Sequence, residues 1–261
     1  MKRAALLGGA ALMLAQPAGA LVDPAAFSHL GFRQHPGAQL PLDAQFRDER
    51  GLPVTLGSAI GGRPAVLVLE YLHCANLCGL VLRGAVGAMR SAHLTPGRDV
   101  SLVAVSIDPR DTPKDALQAR EMYTQNLPGS ADGAGLHFLT GSPDAVAQLA
   151  SAVGFPYRYD KASGQFAHPA GFVVMTPDGK ISRYMLGIAP PAAALRTAVA
   201  EADADEITPA AHPLLLLCFG YDPDPQTAAA MAMRLVRWVS MATVLACALL
   251  ILFLSRRRRT A

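Results

Sequence analysis

Two apolar runs dictate most of what this chain can fold into. Residues 65–72 (AVLVLEYL) and 100–107 (VSLVAVSI) are nearly unbroken hydrophobic sequence. A strand that reads so continuously is buried on both faces of its sheet. Between the runs, Leu77, Leu80, Val81, Gly84, Ala85, Ala88 and Met89 recur at helical spacing, which predicts a helix over about 76–92. Two buried strands bridged by a helix pair in parallel through a crossover, with helices covering the sheet.

The flanking sequence extends that unit. Residues 45–56 alternate around Asp48-Glu49-Arg50-Gly51, a hairpin signal. After the second run, Thr112, Pro113 and Asp115 fit the N-cap, first and third positions of a helix. A short strand is expected over 136–140, and Gly141-Ser142-Pro143 opens a helix to about Val153. Residues 157–167 read as an exposed hairpin around Ala162-Ser163-Gly164. Strands over 171–176 and 181–186 are joined by Pro177-Asp178-Gly179, and a helix over 190–202 closes the series. Residues 21–40 lack periodicity and read as a linker or loosely attached arm. A β-α-β unit followed by β-β-α is the plan of an α/β, thioredoxin-like (peroxiredoxin-like) fold, with a mixed sheet and flanking helices. It occupies 45–202.

Composition agrees with a packed core: 51% of residues are hydrophobic and only 16% charged, against about 25% charged in an average domain. Mean hydropathy is +0.26, which excludes a disordered chain. The net charge of +3 belongs to the two ends, because residues 21–233 hold 15 basic and 20 acidic side chains. No nucleic-acid partner is expected of so acidic a middle.

Lys2-Arg3, the apolar stretch 4–15 and Ala18-Gly19-Ala20 form a secretory signal over 1–20, with Leu21 as the mature start. From Trp238 to Leu254 there is neither charge nor proline, and Arg256-Arg257-Arg258-Arg259 follow. That predicts a transmembrane helix over 235–254, anchored in lipid, with a cytoplasmic basic tail over 255–261. Residues 203–234 form a juxtamembrane extension. The expected topology is single-pass in the inner membrane with the domain facing the periplasm, where disulfides are permitted.

Of the four cysteines, Cys247 falls within the expected span, where a small apolar residue is ordinary. Cys74 and Cys78 lie where the first buried strand hands over to a helix, in Leu72-His73-Cys74-Ala75-Asn76-Leu77-Cys78. A helix N-terminus favours the thiolate, and residues four apart share a helical face. The pair can present two sulfurs to one metal ion, or form a strained disulfide, or act as a redox-active dithiol. His168 ends the exposed hairpin just before the strand over 171–176. In a thioredoxin-like sheet that strand runs antiparallel to the first, which brings His168 toward the cysteines across 90 residues. Two thiolates and an imidazole suit copper, and with an open position also zinc. Pro169 sits where such folds commonly carry a cis proline. His73 would point to the opposite side of the strand, while His93, His137 and His212 have no partner at a telling spacing.

From about Gln45 to Ala200 the chain resembles the Sco/SenC proteins. The carrying residues are Cys74 and Cys78, Ser106-Ile107-Asp108-Pro109-Arg110-Asp111-Thr112-Pro113, His168 before Gly171-Phe172-Val173-Val174, and Pro177-Asp178-Gly179-Lys180. The resemblance implies a membrane-tethered copper protein, with Cys74, Cys78 and His168 as ligands to Cu(I) or Cu(II). Its partners would be an apo cytochrome c oxidase subunit with a CuA site and a periplasmic copper donor or thiol reductant. The implied function is copper delivery to that site, or its preparation. The alternative is a thiol-disulfide oxidoreductase that reduces the recipient's cysteines through Cys74 and Cys78. A peroxidase is disfavoured, because peroxide chemistry has no need of His168. Ala75 and Gly79 stand where the family has proline, and the anchor is C-terminal where the family's is N-terminal. The stretch 214–225 looks like an extension found in a bacterial subgroup, and its Cys218 reads as a buried or membrane-apposed residue.

Overall fold

Every residue of β3 (Ala65–Glu70) and β4 (Ser101–Ser106) is buried, and the two strands pair in parallel from Ala65↔Ser101 to Glu70↔Ser106. These are the two apolar runs, trimmed at their ends. The computed structural model describes residues 31–72, 79–125, 127, 133–161, 164–210, 235–243 and 245–247. Around the central pair the chain adds β1 (Gln45–Arg47), β2 (Pro53–Thr55) and α1 (Leu56–Ile60) before β3. Between β3 and β4 runs α2 (Leu80–Ser91). Then come α3 (Pro113–Thr124), β5 (Leu136–Gly141), α4 (Pro143–Val153), β6 (Arg158–Asp160) and β7 (Gln165–Ala167). The described domain closes with β8 (Gly171–Met175), β9 (Ile181–Leu186) and α5 (Ala192–Asp203).

The main sheet has the order β2-β1-β5-β4-β3-β8-β9, and β6 pairs with β7 apart from it. β3, β4 and β5 are mutually parallel, while β8 is antiparallel to β3 and β9 to β8. The sheet is mixed, as the element order predicts. Side-chain alternation along the strands divides the interior into two cores. Leu67, Leu69, Val103, Val105 and Val173 face α1 and α4. Val66, Val68, Leu102, Ala104 and Val174 face α2 and α5.

Local chemistry accounts for the helix starts. Thr112 and Asp115 form a full capping box on α3 with Pro113 in its first turn, and the Ser142 side chain accepts from Ala145 N–H at the start of α4. Helix α5 begins at Ala192 rather than 190, because Pro190 and Pro191 precede it and Pro191 is its N-cap. Within α2, Gly84 lies directly against the Ile188 carbonyl, so that a Cβ there would sit 1.6 Å from its oxygen.

Two expectations need correction. The arm is not loose over 32–44: Phe32 and Leu40 are buried, and Arg33, Gly37 and Leu40 donate to the carbonyls of Gly154, Ile181 and Gly179. The short helix α1 stands where the sequence reads only as the end of a hairpin, and a Thr55–Ser58 capping box starts it. Residues 235–243 and 245–247 are helical and exposed, but among the described residues no helix is long and apolar enough to cross a membrane. The remainder of the expected span and tail, residue 244 and residues 248–261, lies outside the described residues, as does the signal over 1–20.

Candidate metal centre

The C-terminal end of β3 is where distant parts of the chain converge. β8 pairs with β3 through Ala65↔Met175, Val66↔Val174 and Leu67↔Val173. Continued outward, that register sets Tyr71 beside the segment that carries His168. The contact is present: the two rings meet edge to face with centroids 6.0 Å apart. Phe155, just after α4, stacks on the other side of the imidazole at 5.5 Å. Two aromatic neighbours thus fix the plane of the half-buried ring.

Hydrogen bonding then decides which nitrogen is available. Nδ1 of His168 lies 2.9 Å from the Pro169 carbonyl oxygen. A carbonyl only accepts, so Nδ1 carries the proton and Nε2 keeps its lone pair. Burial pushes the imidazole below the ordinary histidine range, which favours the neutral, ligating form. The His168–Pro169 peptide is trans, contrary to the cis proline expected there. The antiparallel placement of β8 is sufficient to set His168 at the end of β3.

Cys74 and Cys78 lie outside the described residues, as do His73, His212 and Cys218. Their flanks are described, and both are held. On the upstream side, Leu72 N–H donates to Asp111 Oδ2 at 2.7 Å, and the same oxygen accepts from Ser106 Oγ at 2.5 Å. Ile107 N–H donates to the Glu70 carbonyl at 2.9 Å. The Ser106–Asp111 motif therefore fastens the end of β4 to the last described residues before Cys74. Asp108 is clamped by Arg110, whose Nε and Nη2 lie 2.9 and 2.7 Å from its two carboxylate oxygens. The Arg110 guanidinium in turn covers the Tyr159 ring at 5.1 Å. These residues, with Ile107, Tyr157 and Phe166, line a largely apolar cleft of about 420 Å³.

On the downstream side, Gly79 caps α2 without a side chain. Here Glu70 enters. It is 3% exposed, and burial pushes its carboxyl up to about 8. The Leu82 N–H at the third position of α2 donates to it, and Arg83 lies close by; both favour the ionised form. One signal for Glu70 is available in the sequence, a single acid inside an otherwise apolar run, but that run reads first as a strand.

The remaining histidines are elsewhere. His93 has a left-handed backbone (φ 55°) just after α2. His137 lies in β5 near Glu49 and Arg120, with its pKa pushed down by burial. His35 donates its backbone N–H to Tyr184 Oη. Among the described residues no three His, Cys, Asp or Glu side chains converge as a ligand set. Cys247 is a free, exposed thiol.

Replacing Asp111 by alanine should lower stability by about 2 kcal/mol, because it leaves the Leu72 N–H without its acceptor. Urea unfolding of the variant would measure the loss.

Comparison with known proteins matches this frame. The SCO1/SenC family model covers residues 38–203, while no curated protein matches the chain. A protein from Aquifex aeolicus VF5 superimposes with a TM-score of 0.57 at 24% identity, over 65% of this chain and 95% of its own. Arabidopsis thaliana ScoI, solved with copper bound, gives 0.51 at 21% identity over 66% and 98%. BsSco, a member of the Sco family of cytochrome c oxidase assembly proteins solved in work on a disulfide switch, gives 0.51 at 21% over 66% and 97%. A family match that spans the sheet, both capped helices and the strand behind His168 leaves one assignment: the chain belongs to the SCO1/SenC family.

Proposed function

We propose that this protein binds copper through Cys74, Cys78 and His168 and delivers it to the CuA site of an apo cytochrome c oxidase subunit. Copper is the cargo. The observation that carries the reading is His168: a neutral imidazole with Nε2 unprotonated, held by Phe155 and Tyr71 at the C-terminal end of β3. Soft thiolates retain Cu(I), and the borderline imidazole adds affinity for Cu(II). A three-ligand set leaves one side of the ion open to incoming thiolates of the recipient. The copper-bound state of Arabidopsis ScoI supports the same cargo.

Signal, anchor and basic tail together favour a periplasmic domain tethered to the inner membrane by residues 235–254. A second reading has its own support, since BsSco was described with a disulfide switch. In that reading Cys74 and Cys78 pass electrons to a disulfide in the recipient, and their own disulfide forms in exchange. The same two thiols serve both reactions, but the disulfide form cannot hold copper.

The test is metal analysis of the full-length protein in detergent after anaerobic loading with Cu(I). About one copper per chain is expected for the wild type and a loss of most of it for Cys74→Ser. Equal copper in both proteins sinks the assignment.

A further inference from the structure

A chain of rings leads from His168 to the N-terminal arm. Phe155 stacks on the imidazole at 5.5 Å, Phe32 meets Phe155 edge to face at 5.5 Å, and Tyr184 of β9 meets Phe32 in the same way at 5.4 Å. Phe155 follows α4 by two residues, just past Gly154, which turns the chain in a left-handed conformation (φ 66°). The carbonyls at the end of a helix have no partners within it. Here groups far away in sequence take them. Arg33 N–H donates to the Gly154 carbonyl at 2.8 Å. Tyr184 Oη donates to the Val153 carbonyl at 2.8 Å and accepts from His35 N–H at 2.9 Å. The arm backbone lies directly on this corner, since a Cβ at Gly154 would stand 1.8 Å from the Arg33 carbonyl oxygen. Phe32 also reaches β8, where a Cβ at Gly171 would stand 3.1 Å from its Cε2. The Phe32 ring thus fills the space between the corner that carries Phe155 and the start of the strand that follows His168.

We infer that the N-terminal arm is part of the metal centre: Phe32 is a positioning residue that, through Phe155, holds the His168 imidazole in one plane. This rests on the reading that His168 is a copper ligand. Rotation about the bond to a histidine ring is broad when nothing packs against it. A single hydrogen bond, to the Pro169 carbonyl, is one restraint on the His168 ring, and the face of Phe155 is the next. Phe155 is placed in turn by Phe32, and both rings are buried. Tyr71, the neighbour on the other side, packs on Phe166 of β7 and does not replace that support. A smaller side chain at position 32 leaves a gap into which Phe155 can tilt, and the imidazole then gains orientations that do not suit a metal ion. Groups that orient a metal-binding histidine typically raise metal affinity by about tenfold or more. The loss should fall on Cu(II), because the thiolates alone satisfy Cu(I).

The experiment is proton NMR of the reduced, metal-free full-length protein in detergent, with labelled histidine and phenylalanine and with His168 assigned from His168→Ala. The wild type should show nuclear Overhauser effects from the Phe155 ring to both the His168 and the Phe32 rings. In Phe32→Leu the effect between Phe155 and His168 should lose most of its intensity. Copper titration of the same variant should give a Cu(II) affinity about tenfold below the wild type and an unchanged Cu(I) affinity. Gln39→Ala removes an arm contact at the other end of β8, where the side chain donates to the Asp178 carbonyl, and should change neither readout. Should Phe32→Leu not fold, Tyr184→Phe keeps the ring and deletes the hydroxyl that joins Val153 to His35, and it should move both readouts in the same direction. A wild type without these ring-to-ring effects would overturn the inference. So would His168 signals unchanged in the variant that folds, equal losses of Cu(I) and Cu(II), or the same effect from Gln39→Ala. The ring-to-ring effects are read without metal, so their failure is distinct from that of the ligand reading, which retained Cu(II) binding in His168→Ala would overturn.

Discussion

His168→Ala should abolish the visible thiolate-to-Cu(II) absorption of the copper-loaded protein while substantial Cu(I) binding remains. The asymmetry follows from the ligands. Two thiolates alone already satisfy Cu(I), which accepts low coordination and soft donors, whereas Cu(II) gains from the borderline imidazole. The geometry makes the substitution clean. The ring is held by contacts with Phe155 and Tyr71 and a single bond to Pro169, and no described strand pairing depends on it. Unfolding midpoints should therefore shift little while the spectrum disappears. His137→Ala is the matched control, since that imidazole sits in β5 near Glu49 and Arg120. An unchanged Cu(II) spectrum in His168→Ala would remove the histidine from the ligand set.

Gly84→Ala should destabilise the domain by roughly 3 kcal/mol, at the upper end for overpacking. Intrinsic propensity predicts the opposite sign, because alanine is favoured over glycine inside a helix by about 1 kcal/mol. The contact decides it. A Cβ would stand 1.6 Å from the Ile188 oxygen and 2.8 Å from its carbonyl carbon, and backbone cannot rotate away as a side chain can. Helix α2 or the β9–α5 connection must shift instead. The comparison within the same helix is Gly87→Ala, where a Cβ meets nothing within 4 Å; that change should stabilise by up to about 1 kcal/mol. Urea midpoints for the two variants should fall on opposite sides of the wild type.

Much of this architecture was legible because it rests on short-range rules. The runs around Leu67 and Val103 announce buried strands, Thr112-Pro113 and Ser142-Pro143 announce helix starts, and the antiparallel final hairpin places His168 at the end of β3. What escaped depends on partners far along the chain. Phe32 looks like a stray aromatic until Phe155 and Tyr184 pack on it edge to face. Five residues of α1 are too few to display a helical period. Asp111 is recognisable as part of a motif, but its grip on Leu72 is a contact between two loops. Glu70 was hidden by its neighbours: a single acid does not interrupt an apolar pattern, and only the packed structure reveals that its carboxyl is buried against the start of α2.

The antiparallel seating of β8 on β3 also imposes a timetable. Copper held by the proposed ligands Cys74, Cys78 and His168 would span two stretches of polypeptide, and His168 reaches the end of β3 only after Val173 has come to lie opposite Leu67. A growing chain that has emerged through α2 possesses the two thiols but not His168. It needs β4, α3, β5, α4 and the β6–β7 hairpin before His168 exists at all. A site built from these three ligands would therefore be a property of the finished fold, and metal bound there would stabilise that fold alone. With that ligand set, acquisition of Cu(II) would in this sense be a checkpoint: it would register that the last strands have docked.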